Sequence, residues 1–148
     1  MTRFVVDSSA VLQLASEGFD VPSHHRLLAP TLLRSQVLSS LHESVYRGDL
    51  PATVAGERLA VIGRMPIRLL GDGVLRRRAW DLATQLGWAS TYEAEYLALT
   101  QLQADAFITL DRDLARRAQG IVPLAPIDDL RQLAPGGGTT SPPSSRRR

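Results

Sequence analysis

The chain has 148 residues, 44% of them hydrophobic and 22% charged, the balance of a single globular domain with a core of its own. It holds no cysteine, which excludes a disulfide framework, a thiolate metal site and a cysteine nucleophile. The formal charge of +2 is carried by the terminus: taking Arg146, Arg147 and Arg148 from the 17 basic residues leaves 14 against 15 acidic ones, a net of −1, so the body is not globally basic.

The first stretch, Phe4-Val5-Val6, predicts a short strand buried on both faces. Asp7 follows at once, and Ser8 or Ser9 stands where a helix beginning Ala10-Val11-Leu12 needs a cap. A turn over 17–22 precedes a second strand, 24–28, and Ala29-Pro30 opens a helix reaching about Arg47. Its apolar positions Leu32, Leu33, Val37, Leu41 and Val45 recur at helical spacing, as on one buried helical face. Pro51 starts the next helix, through about Ile62. A strand over 67–70, a helix over 74–86 and a helix after Ser90-Thr-Tyr-Glu93 follow. Residues 106–110 form the second clear buried strand, ending in Asp111-Arg112-Asp113 and a helix to about Gln119. A last strand over 121–124 and a short helix over 126–133 close the domain, taken as 1–134. Residues 135–148 are Gly-, Ser-, Thr-, Pro- and Arg-rich and are expected to be a disordered tail. No basic, apolar-cored leader opens the chain, and no apolar run approaches the roughly 18 residues of a membrane span. A cytoplasmic protein without a membrane partner is the expectation.

Strands that alternate with helices and are hydrophobic throughout predict an α/β fold with a mostly parallel sheet. Asp7, Glu93 and Asp111, with Asp113 beside the last, all stand at or near strand-to-helix junctions, which parallel strands gather on one sheet edge. Carboxylates collected there repel one another, and a hard cation such as Mg²⁺ or Mn²⁺ relieves this with oxygen ligands alone. Such an ion also suits phosphoryl chemistry. Each acid has a plainer reading beside this one. Asp7 and Asp111 are helix caps by position, Ser90-x-x-Glu93 has the pattern of a capping box, and Asp113 suits a helix N-terminus.

Four stretches in order resemble the PIN-domain family, and within it the VapC-type toxins of bacterial toxin–antitoxin systems. They are Phe4-Val-Val-Asp-Ser-Ser-Ala10, Leu28-Ala-Pro-Thr-Leu-Leu-Arg34, Thr91-Tyr-Glu-Ala-Glu-Tyr-Leu-Ala-Leu99 and Phe107-Ile-Thr-Leu-Asp-Arg-Asp-Leu114. The resemblance covers roughly residues 3 to 133. It implies a three-layer α/β/α sandwich, Mg²⁺- or Mn²⁺-dependent endoribonuclease activity, a homodimer and a cognate antitoxin. Matched by position, it implies catalytic and metal-holding roles for Asp7, Glu93 and Asp111, with Asp113 as an accessory acid. Ser9 matches the small hydroxyl two residues after the first aspartate, and Glu93 stands where the family usually has aspartate. The family's second-helix glutamate is replaced by Gln36, which keeps an oxygen but brings no charge and cannot act as a base. Glu43, two turns further along the helix, is about 10 Å from it by helical rise, and could support the site only through water or a second metal. Arg34, Arg112 and Arg116, with Arg117, are candidates to grip RNA phosphates around the acidic edge.

Two other readings stand beside the nuclease. One is a catalytically impaired PIN-fold module that binds antitoxin or RNA without cleaving, motivated by Gln36. The other is a phosphate-ester hydrolase or acceptor-aspartate domain of the doubly wound class, for which a Gly-rich phosphate loop and a suitably placed lysine are missing.

Overall fold

The structure is a computed structural model that describes residues 1–131; the domain boundary at 134 and the tail over 135–148 lie outside the described residues. The elements run β1 (Thr2–Val6), α1 (Ser8–Glu17), β2 (His25–Pro30), α2 (Leu32–Tyr46), α3 (Ala52–Arg64), β3 (Ile67–Leu70), α4 (Gly73–Leu86), α5 (Tyr92–Gln103), β4 (Ala106–Ile108) and α6 (Arg112–Ala118), with a 3₁₀ turn at Ile127–Arg131. The sheet order is β3-β2-β1-β4 and all pairs are parallel.

Side chains alternate across the sheet, and both faces are buried toward the strands' carboxyl ends, so the later positions of β1 and β2 and all of β4 carry apolar residues toward one layer or the other. Phe4, Val6, Leu27, Ala29 and Ile108 pack with Val11, Leu14, Leu33 and Val37, the layer of α1 and α2. Val5, Leu28 and Phe107 pack with Leu75, Leu82, Leu97, Leu99 and Leu114, the layer of α4, α5 and α6. This is the α/β/α sandwich with a parallel central sheet.

Several boundaries differ from the sequence expectation, each for a local reason. Ala29-Pro30 belongs to β2, not to α2; a proline ring disfavours the helical region for the residue before it, so the helix waits until Leu32. The strand expected over 121–124 is reduced to one bridge, Leu124 to Phe107, because Pro123 has no N–H to extend a ladder. The helix expected over 126–133 is the 3₁₀ turn. The capping box at Ser90 does not form: the cap residue is Thr91, Ser90 Oγ accepts from Tyr92 N at 3.2 Å, and Glu93 turns to an arginine. Strand β4 stops at Ile108 because Leu110 N–H is claimed by Ser9 Oγ and Asp111 N–H by Thr109 Oγ1.

β1 lies between β2 and β4, so the chain leaves it in one direction and returns on its other side. The crevice at such a reversal, beyond the strands' carboxyl ends, is where α/β sheets bind ligands. Asp7 N still bonds to Ile108 O at 3.4 Å, which sets the ends of β1 and β4 side by side there.

Candidate active site

Asp7 is the only buried charged residue among the described residues, 6% exposed. It caps α1: Oδ1 accepts from Ala10 N at 3.1 Å and from Ser9 Oγ at 2.6 Å. Oδ2 accepts from the Thr109 hydroxyl. Burial pushes the Asp7 carboxyl above the usual aspartate range; the Ser9, Thr109 and Ala10 hydrogen bonds oppose that, and the neighbouring charge of Asp111 adds to it. The carboxylate thus sits in an environment that would gain from a nearby cation.

Thr109 and Ser9 tie the two strand ends together. Thr109 Oγ1 donates to Asp7 and accepts from Asp111 N at 3.1 Å, while Ser9 Oγ donates to Asp7 and accepts from Leu110 N at 2.8 Å. The two hydroxyls are 3.4 Å apart. Asp111 caps α6, its Oδ1 accepting from Asp113 N at 3.0 Å and Leu114 N at 3.1 Å, and its side chain is exposed. Capping does not use up this carboxylate: no described residue donates to its second oxygen.

Tyr96, on α5, is the core residue that meets this site from below. Its hydroxyl donates to Gln36 Oε1 at 2.5 Å. Burial is the main cause that holds the phenol far above its usual range, with the charges of Asp7 and Glu95 contributing. Gln36 therefore contributes to the site an oxygen already engaged by a neutral donor. Glu43 does not join: it is exposed on α2 and accepts from Ser39 Oγ at 3.0 Å.

Glu93 and Asp113 share one arginine. Arg117 Nη2 pairs with Glu93 Oε2, and Arg117 Nε pairs with Asp113 Oδ2 at 2.9 Å. The guanidinium lies 4.9 Å from the Trp88 ring centroid, a cation–π seat. Hydrogen bonding, to Glu93 first, holds Arg117 yet more firmly charged, and the Arg117 hydrogen bond is the main reason the Asp113 carboxyl lies below its usual range. Arg116 also pairs with Asp113. A groove of about 480 Å³ opens here, lined by Gln36, Trp88, Ser90, Tyr92, Glu93 and Arg117. Among the expected phosphate grips, Arg34 and Arg112 are exposed, whereas Arg116 is engaged with Asp113.

The structure therefore brings Asp7 and Asp111 together through Thr109, and holds Glu93 and Asp113 together through Arg117. Among the described residues no three His, Asp or Glu side chains stand close enough to hold a metal as one group. Two carboxylates with water completing the shell is nonetheless a donor set that Mg²⁺ accepts. Buried Asp7, its charge disfavoured by burial and by Asp111, fits that ion. Thr109, Tyr96 and the internal pairing of Arg117 were not foreseen from sequence. Only Thr109 left a trace there: a hydroxyl at a strand end, two residues before an aspartate.

No protein-family model matches the sequence. The chain is similar to "VapC ribonuclease Mb0985" of Mycobacterium bovis and to "Ribonuclease VapC9" of Mycobacterium tuberculosis. Each is 29% identical over 123 residues, spanning 81% of this chain and 94% of the relative. Its fold matches the crystal structure of PAE2754 from Pyrobaculum aerophilum with a TM-score of 0.68, at 21% identity, over 87% of this chain and 92% of that one.

Proposed function

We propose that this chain, a PIN-domain protein of the VapC type, is a toxin ribonuclease that hydrolyses RNA phosphodiester bonds with Mg²⁺ or Mn²⁺ at the edge formed by Asp7 and Asp111. The observation that carries the reading is the buried Asp7 carboxylate, kept in place by three hydrogen bonds and facing a second aspartate across Thr109. A structural cap needs neither burial of the charge nor a like-charged neighbour; a cation site benefits from both.

Asp7 and Asp111 would hold the ion, which supplies positive charge for a phosphate oxygen and lowers the pKa of water. Ser9 and Thr109 hold the Asp7 oxygens in fixed directions. Tyr96 orients the Gln36 oxygen, which can accept from a water in the groove through its remaining lone pair. Glu93 and Asp113 each spend one oxygen on Arg117, and release from it would free them fully to support the ion, directly or through water. Arg34 and Arg112 supply exposed cations for flanking phosphates. A homodimer and a cognate antitoxin in the cytoplasm complete the proposal; the exposed Leu38, Tyr46, Val74 and Trp80 provide apolar contact area for such partners.

The test is incubation of the purified protein with structured RNAs in Mn²⁺ and in EDTA, beside Asp7→Asn. Cutting that needs the metal and disappears in the variant supports the nuclease. Intact fold and antitoxin binding with no cutting in any metal would assign the chain to the non-cleaving module.

A further inference from the structure

The opposite edge of the sheet carries a second, differently charged feature. Arg3 on β1 is the register partner of Arg26 on β2, and Arg68 on β3 is the partner of Leu28, two residues along from Arg26. The period of a strand places Arg3, Arg26 and Arg68 on one face of the sheet, the face that α4 and α5 cover further up. Neighbouring strands are about 4.8 Å apart, and like charges directly opposite one another destabilise a sheet.

Among the described residues no acidic side chain pairs with the guanidinium groups of Arg3, Arg26 and Arg68; the pairs involve Arg47, Arg77, Arg116, Arg117 and Arg131. The nearby Asp105 spends an oxygen on the backbone N–H of Arg3, at 2.8 Å. Arg26 Nε points to Met1 Sδ at 2.7 Å, a weak acceptor. Residues 132–148 contain no Asp or Glu that could reach back.

The three arginines line a cleft of about 390 Å³ whose other walls include Val21, Pro22 and Pro66. That is within the range of small-molecule sites, about 300–1,000 Å³, which combine apolar walls with a few convergent polar groups. Guanidinium forks match phosphate oxygens two at a time.

We propose that this cleft binds the diphosphate group of a small phosphorylated ligand, either free or as part of a nucleotide. Two adjacent phosphates offer several negative charges over a span that the Arg3–Arg26 pair and Arg68 can grip together. The apolar wall leaves room for a nucleoside beyond them. This site is independent of the Asp7 edge and of any metal held there.

Titration calorimetry on the full chain tests it, with inorganic pyrophosphate and with GDP, in EDTA so that no metal bridges phosphate to Asp7. The expected result is saturable binding of one ligand per chain that weakens as salt rises. Arg26→Gln weakens it about tenfold, the scale of one charge-assisted hydrogen bond. The double variant Arg3→Gln/Arg26→Gln abolishes it while melting at or above the parent temperature, because a repulsion has been removed. Asp7→Asn binds as the parent does. Equal affinity for the two probes identifies the free anion as the ligand, and tighter GDP binding identifies a nucleotide. Absence of saturable heat with both probes, or undiminished binding in a folded double variant, overturns the proposal.

Discussion

Thr109→Val removes one hydroxyl and almost no volume, so its effect reports on the bond to Asp7 rather than on packing. In the parent that hydroxyl donates to Asp7 Oδ2 and accepts from Asp111 N. The exposed Asp111 backbone can turn to water, whereas the buried carboxylate cannot. A hydrogen bond to a charged group contributes about 1.5–3 kcal/mol. With about 2 kcal/mol taken as the loss at neutral pH, and about 2–4 °C per kcal/mol for a chain of this size, the melting temperature falls by about 4–8 °C. The pH dependence has a fixed sign. Burial already raises the Asp7 carboxyl, and Thr109 is one of the bonds that lower it, so the variant's folded pKa lies higher still. The parent's advantage is therefore present when Asp7 is charged and shrinks as pH falls through the variant's folded value. Thermal denaturation followed by circular dichroism at neutral pH and near the ordinary aspartate value of 3.8 measures both. An equal loss at the two pH values, or no loss at either, would refute the account of Thr109 as a donor that favours the charged form of Asp7.

Asp7→Asn should separate stability from activity: cleavage falls by about two orders of magnitude or more, the scale of losing a charged group at a reacting centre. The folded state, relieved of a buried charge whose pKa is raised, is as stable as the parent or more so above that pKa, with no gain below pH 3.8, as paired unfolding curves across pH will show. Arg117→Ala releases Glu93 and Asp113 and should tighten Mn²⁺ binding measured by calorimetry, because two carboxylates lose their internal cation; unchanged affinity would leave those acids outside the metal site. Gln36→Glu should increase Mn²⁺-dependent cleavage while lowering metal-free stability, since it adds a carboxylate against Tyr96 and near Asp7; lower activity in a folded variant would count against the Asp7–Asp111 edge as the reacting centre.

The sheet was legible because its central strands are short apolar runs. Phe4-Val5-Val6 and Ala106-Phe107-Ile108 needed only burial on two faces to be recognised, and their register follows from that burial. Asp7 and Asp111 were legible because a strand's end fixes where its next residue points. Glu93 was harder. Its partner Arg117 is 24 residues away on another helix, and no local spacing encodes an ion pair across two helices. The Tyr96–Gln36 bond spans 60 residues and is equally silent in sequence, where Tyr96 is one more apolar position on α5. Short-range competition defeated the remaining boundaries: the ring of Pro30 against the start of α2, and two hydroxyls against the last ladder bonds of β4.

Charge balance gives Gln36 a physical reason to be there. Asp7 is buried and adjacent to Asp111, and its carboxyl is already pushed toward the protonated form. A glutamate at position 36 would add a second charge beside Tyr96, whose own proton is held by burial and by Asp7. Without a cation, one of these acids would have to take up a proton, as closely spaced carboxylates do. Glutamine keeps the acceptor that satisfies the Tyr96 hydroxyl and omits the charge. Arg117 performs the complementary task on the other side of the groove, neutralising Glu93 and Asp113 from within the chain. The edge thereby carries fewer unpaired negative charges before any ion arrives. The consequence is a lower charge density at the site, so cation binding should be weaker here than in a variant carrying both Gln36→Glu and Arg117→Ala. That double variant should bind Mn²⁺ more tightly than either single one, yet melt at a lower temperature in EDTA.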